Sequence, residues 1–296
     1  MVIAIDGLSL GAIYALIALG YTMVYGIAKM LNFAHGDVIM VGAYMIYTMC
    51  TLTWTTGSLP IWLGALISFV VAVVVCTVLG MVIEKVAYKP LRGASPLAAL
   101  ITAIGVSYLL QSVAQIIFGA SPKMVIVADM GNMQIGSLKI PYYIIITLAC
   151  SVIIMVALTL FVKKTKTGRA MIAVSEDRGA AQLMGINVNR IIMITFAIGS
   201  ALAAFAGFFM LMKSPSLSNT LGAMPGIKAF TAAVIGGIGS IPGAMLGGLL
   251  LGVVEAISFK IPMIAPYTDA IEFLILIVIL LVKPTGILGK VRREKV

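Results

Sequence analysis

Long apolar segments with almost no charge fill most of this chain and limit what it can fold into. A helix needs about 20 apolar residues to cross the hydrocarbon core of a bilayer, about twice the length of a membrane strand. Backbone groups in lipid must be hydrogen-bonded internally, so only helices and closed barrels span it. We therefore predict an all-α, polytopic membrane bundle of about 8–9 spans, including short or discontinuous helices. The first six spans are expected at about 5–26, 37–55, 60–83, 96–118, 141–162 and 191–212.

Glycine interrupts the apolar pattern near the C-terminal end. A short pair of segments lies at about 227–240 and 243–259, and a last span is expected at about 268–282. The linking stretch has no lysine, so it is no GxxxxGK[ST] phosphate loop. Its glycines and proline cannot propagate a regular helix. We interpret it as a break between half-helices, of the kind that discontinuous spans use to line a pathway, or alternatively as a plain packing kink. The residues of this break are Gly236, Gly237, Gly239, Ser240 and Pro242.

The composition agrees with a membrane protein. Of 296 residues, 61% are hydrophobic and only 10% are charged, whereas soluble domains carry about 25% charged residues. The net charge of +10 could favour nucleic acid, but we assign it to the loops between spans and expect no nucleic-acid partner. The first segment lacks a basic n-region and a cleavage site, so we predict a retained span and not a signal peptide. Residues 1–296 are predicted to form a single transmembrane domain.

Basic residues concentrate in three connectors. Fourteen of the twenty Lys and Arg residues follow the third, fifth and last spans, and Lys29 is expected on the same side. By the positive-inside rule these connectors are cytoplasmic, which predicts an outside N-terminus and a cytoplasmic C-terminus. Opposite termini require an odd number of crossings. The outer side is left with Lys123, Lys139, Lys213, Lys228 and Lys260.

The largest basic connector, residues 163–190, has the signals of a folded helix. Ser175 is a good N-cap, the two acidic residues that follow suit the first turn, and Gly185 can end the helix in the left-handed conformation. We predict a helix that docks on a cytoplasmic partner, with an ordinary basic loop as the alternative. Ala180, Leu183 and Met184 form its small apolar face, and the full set is Ser175, Glu176, Asp177, Ala180, Ala181, Leu183, Met184 and Gly185.

Ionisable residues are rare within the predicted spans. The acidic ones include Asp37, Glu255 and Glu272, and we read both glutamates as polar anchors that face the bundle, with direct substrate contact as the alternative. An ion-driven carrier usually needs a polar relay near the midplane, so this scarcity argues for another energy source. Asn32, His35 and Asp37 are expected to satisfy backbone groups at the start of the second span, with a role in the pathway or gate as the alternative. A lone histidine predicts no metal site, and the cysteines have no ligand or disulfide spacing.

Short motifs occur in order along nearly the whole chain: GYTMVYG at 20–26, NFAHGD at 32–37, TGRA at 167–170, AAFAG at 203–207, KAF at 228–230, VIGGIGS at 234–240 and KPTGILG at 283–289. Together with the helix predicted after Ser175, these motifs resemble the LivH-type permeases. Those are inner-membrane subunits of ABC importers for branched-chain amino acids. Related permeases for urea and short amides share the same motifs.

The resemblance implies a bacterial inner-membrane protein that acts in a complex. In such importers two permease subunits, surrounded by membrane lipid, form the pathway for the solute. Here the two subunits are expected to be different chains. Two cytoplasmic ATPases drive transport and an extracytoplasmic binding protein delivers the solute. The chain itself is then expected to be no enzyme, with no catalytic residue, metal or cofactor. The helix predicted at Ser175–Gly185 lies where such permeases place their coupling helix, so the resemblance implies that it docks on the ATPase. Its sequence departs from the family's usual Glu-Asn-Pro-Glu-Ala-Ala pattern at Arg178 and Gly179.

Two other classes of function are weighed against this one. A secondary transporter or channel is disfavoured by the scarcity of intramembrane acids and by the helix predicted in the basic connector. A membrane enzyme would need a cluster of polar catalytic groups, which one histidine and scattered carboxylates do not supply.

Overall fold

A computed structural model of the chain describes residues 2–57, 60–127, 131–135 and 138–289. Eight of the helices within these ranges are long and apolar enough to cross a membrane, so the predicted all-α, multi-pass fold is confirmed. The helices are α1 (Val2–Ala28), α2 (His35–Thr56), α3 (Ile61–Ile83), α4 (Pro96–Phe118), α5 (Tyr142–Lys164), α6 (Lys166–Glu176), α7 (Arg178–Leu183), α8 (Val188–Lys213), α9 (Ala223–Gly236), α10 (Ile241–Lys260) and α11 (Thr268–Val282).

Short elements join these helices. A π-helical turn (Glu84–Tyr88) and a 3-10 turn (Lys89–Leu91) extend α3, and a second 3-10 turn (Ala265–Tyr267) precedes α11. Two small antiparallel ladders lie between helices. β1 (Lys123–Met124) pairs with β4 (Ser216–Leu217), and β2 (Asn132–Ile135) pairs with β3 (Leu138–Pro141).

Helix α1 is the centre of the bundle. Of its most apolar stretch, 89% is buried, against 17% for α4 and α5 and 11% for α11, which therefore lie at the periphery. Glycines allow α1 to cross α10 closely: a Cβ on Gly7 would meet the Cα of Val253 at 2.9 Å, and one on Gly11 would meet Leu249 Cα at 2.7 Å. The small-residue spacing in the sequence thus corresponds to backbone contact between spans.

Two helices begin inside the bundle and not at its ends. Helix α9 has 14 residues, about 21 Å of helix, which is shorter than a hydrocarbon core of about 30 Å. Helix α2 starts with His35 packed on the middle of α1, since a Cβ on Gly20 would overlap the His35 ring. The two starts touch each other, because a Cβ on Gly222 would overlap the carbonyl of Gly36.

One end of the bundle, here named the basic end, gathers the basic connectors. The C-terminus of α1, the C-terminus of α5 with Lys163, the helices α6 and α7, and the turn after α9 all lie there. The opposite end is named the far end. Residues 283–289 fold back onto the basic end, where Ile287 N donates to Ile235 O at 2.8 Å and Leu288 N donates to Gly236 O at 2.9 Å. The basic residues after Gly289 lie outside the described residues.

The predicted spans agree with the helices to within a few residues for the first six. The Gly-rich pair differs from its prediction. Its first member begins earlier and ends earlier, at Ala223–Gly236, whereas α10 is a full-length helix of 20 residues. Within this pair, therefore, only α9 is short.

Candidate functional site

The connector between α5 and α8 folds into two helices where the sequence predicted one. Thr165 caps α6, its hydroxyl accepting from Gly168 N at 2.9 Å. Met171 and Val174 of α6 are buried against the bundle, which carries the helix through to Glu176. Asp177 then caps α7 by accepting from Ala180 N at 3.0 Å, and Gly185 follows with φ 82°.

The predicted N-cap at Ser175 is therefore wrong. Ser175 lies inside the last turn of α6 and its hydroxyl donates to Ile172 O at 2.7 Å. Two strong capping residues stand two positions apart, and burial of the apolar face of α6 selects the second. Helix α7 has six residues, about half the length predicted. The left-handed Gly185 at its end is confirmed.

The apolar face predicted for the docking helix is exposed. Leu183 is 90% and Met184 82% accessible, and Ala180 beside them is also exposed. Ala181 differs, because it is buried against its own chain and so cannot contact a partner. The end of α7 thus presents Leu183 and Met184 as two adjacent, almost fully exposed apolar side chains at the basic end.

Arg178, the first residue of α7, ties this element to the central helix. Its Nη2 donates to the carbonyl of Ala28, the last residue of α1, where helix carbonyls lack intrahelical partners and favour cations. Burial, together with the positive charge of Arg92, lowers the pKa of the Arg178 guanidinium. Arg92 in turn donates to Glu84 and to Asn189 at the start of α8. Motion of α7 can thus reach α1 through Arg178, while Arg92, which lines the same cavity, links the turn after α3 to the start of α8.

The Gly-rich stretch does break the helix, as predicted. Helix α9 ends at Gly236, Gly237 and Gly239 have φ values of 103° and 94°, and Ser240 caps α10 by accepting from Gly243 N at 3.2 Å. Pro242 lies in the first turn of α10. The break is the turn of a hairpin at the basic end, and not an interruption within the depth of a span.

This turn borders a cavity of about 690 Å³ at the basic end. The cavity lies between the α9–α10 turn, the end of α5, the α6 helix and the folded-back C-terminal segment. Gly239, Ser240 and Pro242 line it together with Lys29, Lys163 and Ser175. The structure thus brings one predicted pathway segment next to the predicted docking segment.

The polar residues around the start of α2 contact both backbone groups and side chains. The Asp37 carboxylate accepts from its own backbone N–H, and the His35 ring donates to the backbone carbonyl of Ile17. Asn32 Oδ1 accepts from Tyr88 OH at 3.0 Å, and Asp37 Oδ1 accepts from Gln111 Nε2 of α4 at 2.8 Å. Ala34 stands at the N-cap position with no side-chain cap. All three predicted residues, His35 included, are at most 3% exposed.

His35 lies at the contact between α1, α2 and α9. Its ring meets Tyr21 edge-on with centroids 4.8 Å apart, and Tyr21 also packs on Phe230 of α9. The Nε2 atom of His35 has no hydrogen-bond partner among the described residues. The starts of α2 and α9 therefore meet in a packed aromatic cluster deep in the bundle, away from the cavity at the basic end.

A buried ionic cluster is the feature that the sequence did not predict. Lys228 Nζ of α9 lies 2.9 Å from Glu255 of α10, and 2.8 and 3.3 Å from Asp269 and Glu272 of α11. Lys228, Glu255 and Glu272 are at most 5% exposed, while the Asp269 side chain is about half exposed. Both glutamates face the bundle as predicted. Their common partner is Lys228, which is predicted from the sequence to lie on the outer side. A lysine within an apolar segment is the sequence signal from which such a buried ion pair could be predicted.

The chain is similar to known proteins along nearly its whole length. A family model described as branched-chain amino acid transport system / permease component matches residues 3–280. The high-affinity branched-chain amino acid transport system permease protein BraD of Pseudomonas aeruginosa is 45% identical, over 99% of this chain and 96% of its own. The proteins of the same description named LivH from Salmonella typhimurium and Escherichia coli are 44% and 43% identical, each over 98% of this chain and 96% of their own.

Proposed function

Because the chain belongs to the family of permease components of branched-chain amino acid transport systems, we propose that it is a membrane subunit of an ATP-driven importer. It forms part of the path through which branched-chain or other hydrophobic amino acids cross the bilayer. The chain lacks a Walker loop, so the energy must come from separate ATPase subunits. The relatives BraD and LivH carry the same description of high-affinity branched-chain amino acid transport, which favours these solutes over urea or short amides.

The observation that carries this proposal is the folded α6–α7 pair with its exposed Leu183 and Met184. A capped, two-helix element outside the spans of a membrane protein is best explained as a binding site for a partner protein. The element is continuous with two spans, through α5 at Lys164 and α8 at Val188. It also contacts the end of α1 through Arg178. A partner that pulls on α7 therefore moves three spans together.

The basic end is assigned to the cytoplasm in this proposal. It carries Lys163, Lys164 and Lys166 beside α6, and Arg92 and Arg178 beside α7, as the positive-inside rule requires for a cytoplasmic face. The N-terminus of α1 is then outside and residues 283–289 are cytoplasmic. Two ATPases would bind the basic ends of two permease subunits, expected to be different chains, and an extracytoplasmic binding protein would meet the far end.

The path itself is proposed to run past two features. One is the start of α2 with Asn32, His35 and Asp37. The other is the α9–α10 turn, whose cavity opens at the basic end. Exposed backbone at the turn is tolerable there because it borders a cavity and packed protein, not lipid.

Co-purification tests the proposal. The tagged chain is extracted in mild detergent from its native membrane, and the associated proteins are identified by mass spectrometry. We expect ATPase subunits and a second permease in the preparation, with ATP hydrolysis stimulated by binding protein loaded with leucine, isoleucine or valine. If urea or acetamide stimulated ATP hydrolysis and these amino acids did not, the importer would be assigned to that solute instead. A preparation without any ATPase would contradict the proposed function.

A further inference from the structure

Helix α4 exposes a polar stripe that runs from the middle of a membrane-spanning segment towards its C-terminal end. Tyr108 is 66% accessible, and Gly105, Ser112 and Gln115 are exposed as well. Their spacing of three and four residues puts them on one side of the helix. We name these four residues the α4 stripe.

The other peripheral helices provide an internal comparison. Between their terminal turns, the exposed positions of α3 are Val, Leu, Ile or Trp, and those of α5 and α11 are Ala, Val, Ile or Leu. Such faces suit lipid. Between the terminal turns of these four helices, α4 alone exposes side-chain hydroxyl groups, those of Tyr108 and Ser112, within the part of the chain that the structure describes.

The depth of the stripe makes lipid an unfavourable neighbour. Tyr108 lies twelve residues after Pro96 and ten before Phe118, about 18 Å and 15 Å along the helix, which is close to its midpoint. Tyrosine prefers the membrane interface, where its hydroxyl is wet. Polar side chains at the centre of a span normally face protein or a water-filled cavity.

Gly105 supplies an independent observation. Glycine within a helix costs about 1 kcal/mol relative to alanine. A Cβ built on Gly105 would meet no atom within 4 Å, so nothing in the described chain requires a glycine there. Close approach of another helix backbone is the usual use of an exposed glycine in a membrane span.

The stripe is also continuous with the polar residues at the start of α2. Gln111, on the adjoining side of α4, donates to Asp37 at 2.8 Å. Asn219, in the segment before α9, donates to Gln115 at 3.4 Å. Polar groups thus extend from the buried Asp37 across α4 to its uncovered side.

We propose that the α4 stripe is the contact surface for the second permease subunit. The inference rests on the proposed function, which calls for two permease chains in one complex. The occupant is a membrane-spanning helix whose backbone approaches Gly105 and whose side chains offer hydrogen-bond partners to Tyr108, Ser112 and Gln115. Lipid covers α3 and α5.

Site-specific photo-crosslinking in native membranes tests the surface. p-Benzoylphenylalanine replaces Tyr108, with matched positions Val74 on α3 and Ile153 on α5, both of which face outward. We expect the Tyr108 position alone to give a strong adduct whose mass equals two permease chains. Mass spectrometry then identifies the partner as a second copy or a different permease, and either result supports the proposal.

Other outcomes overturn it. An adduct with lipid only, with an ATPase or with the binding protein would do so, as would equal permease adducts from all three positions. If the ATPases still co-purify in that case, the proposed function stands and only the surface is wrong. Absence of the ATPases from wild-type preparations would overturn both.

A second variant tests the surface by its effect on assembly. Gly105→Leu should reduce the co-purified second permease several-fold, because its side chain fills the space that the partner backbone needs. The amount of Gly105→Leu chain in the membrane should stay normal, since a Cβ at this position meets no described atom of its own subunit within 4 Å. Val74→Leu is the matched control and should change neither. Normal recovery of the second permease with Gly105→Leu would contradict the proposal.

Discussion

At the scale of single residues, Lys228 is the most consequential side chain outside the proposed docking element. It joins α9 to α10 and α11 by pairing with the buried carboxylates of Glu255 and Glu272. Removing one partner of a buried ion pair leaves an uncompensated charge, which costs about 3–5 kcal/mol. Lys228→Met should therefore lower the melting temperature of the detergent-solubilised chain markedly.

The companion variants separate charge from packing in this cluster. Lys228→Met combined with Glu255→Gln and Glu272→Gln should recover most of the lost stability, because no buried charge is then left unpaired. Lys228→Arg keeps the charge and should lose less than Lys228→Met. A single variant Lys228→Met with wild-type melting behaviour would show that the cluster contributes nothing to stability.

Arg178 carries a prediction about coupling. It contacts the Ala28 carbonyl, so Arg178→Met cuts the direct contact between α7 and α1 while leaving the docking face intact. We expect ATP hydrolysis close to wild type and several-fold less solute transported per ATP hydrolysed. Arg190→Met, at an exposed position of α8, is the control. A wild-type ratio of transport to hydrolysis in Arg178→Met would rule out this role.

At the scale of elements, α7 is predicted to dock by its apolar face. Leu183→Asp places a charge in the proposed apolar contact between α7 and the ATPase. Solute uptake should therefore fall at least tenfold, and less ATPase should co-purify with the chain. Membrane insertion should stay normal, because Leu183 is 90% exposed in its own chain. Leu183→Ile serves as the conservative control. Wild-type uptake by the aspartate variant would refute docking through this face.

The α9–α10 turn is predicted to tolerate substitution unevenly. Gly237 has φ 103° and a Cβ on it would overlap the backbone of Gly289, so Gly237→Leu combines strain of about 1–3 kcal/mol with a steric clash. Gly239 has φ 94°, and a Cβ on it would meet only the Cα of Gly26, at an ordinary contact distance of 4.0 Å, so Gly239→Ala should cost less. Uptake assays should rank wild type, Gly239→Ala and Gly237→Leu in falling order, with Ile277→Leu on exposed α11 as the control. Equal uptake by all four would reduce the turn to a passive link.

The elements could largely be predicted from the sequence, and their local caps less well. Span length and apolarity decide where a membrane helix forms, so α1 to α5 and α8 were accurate to a few residues. The choice between Ser175 and Asp177 as N-cap depends on how Met171 and Val174 pack on the bundle, which local sequence does not encode. The partner of Glu255 depends on how three helices meet, and Lys228 was therefore missed.

At the scale of the whole molecule, a central helix connects the proposed docking element to the proposed pathway. Helix α1 contacts Arg178 of α7 at its end, His35 of α2 through Gly20, and α10 through its glycines. A displacement at the basic end therefore has a packed route to the start of α2. Asp37 extends that route to α4 through Gln111, and so to the surface proposed for the second subunit.

The central claim is that ATP hydrolysis by partner subunits, and not an ion gradient, drives solute through this chain. Proteoliposomes that contain the purified complex, with binding protein and labelled leucine on the outer side, measure this directly. We predict accumulation that requires ATP on the ATPase side and persists when ionophores collapse the proton and sodium gradients. Accumulation by the reconstituted chain alone, driven by an imposed proton or sodium gradient and abolished by ionophores, would contradict the account.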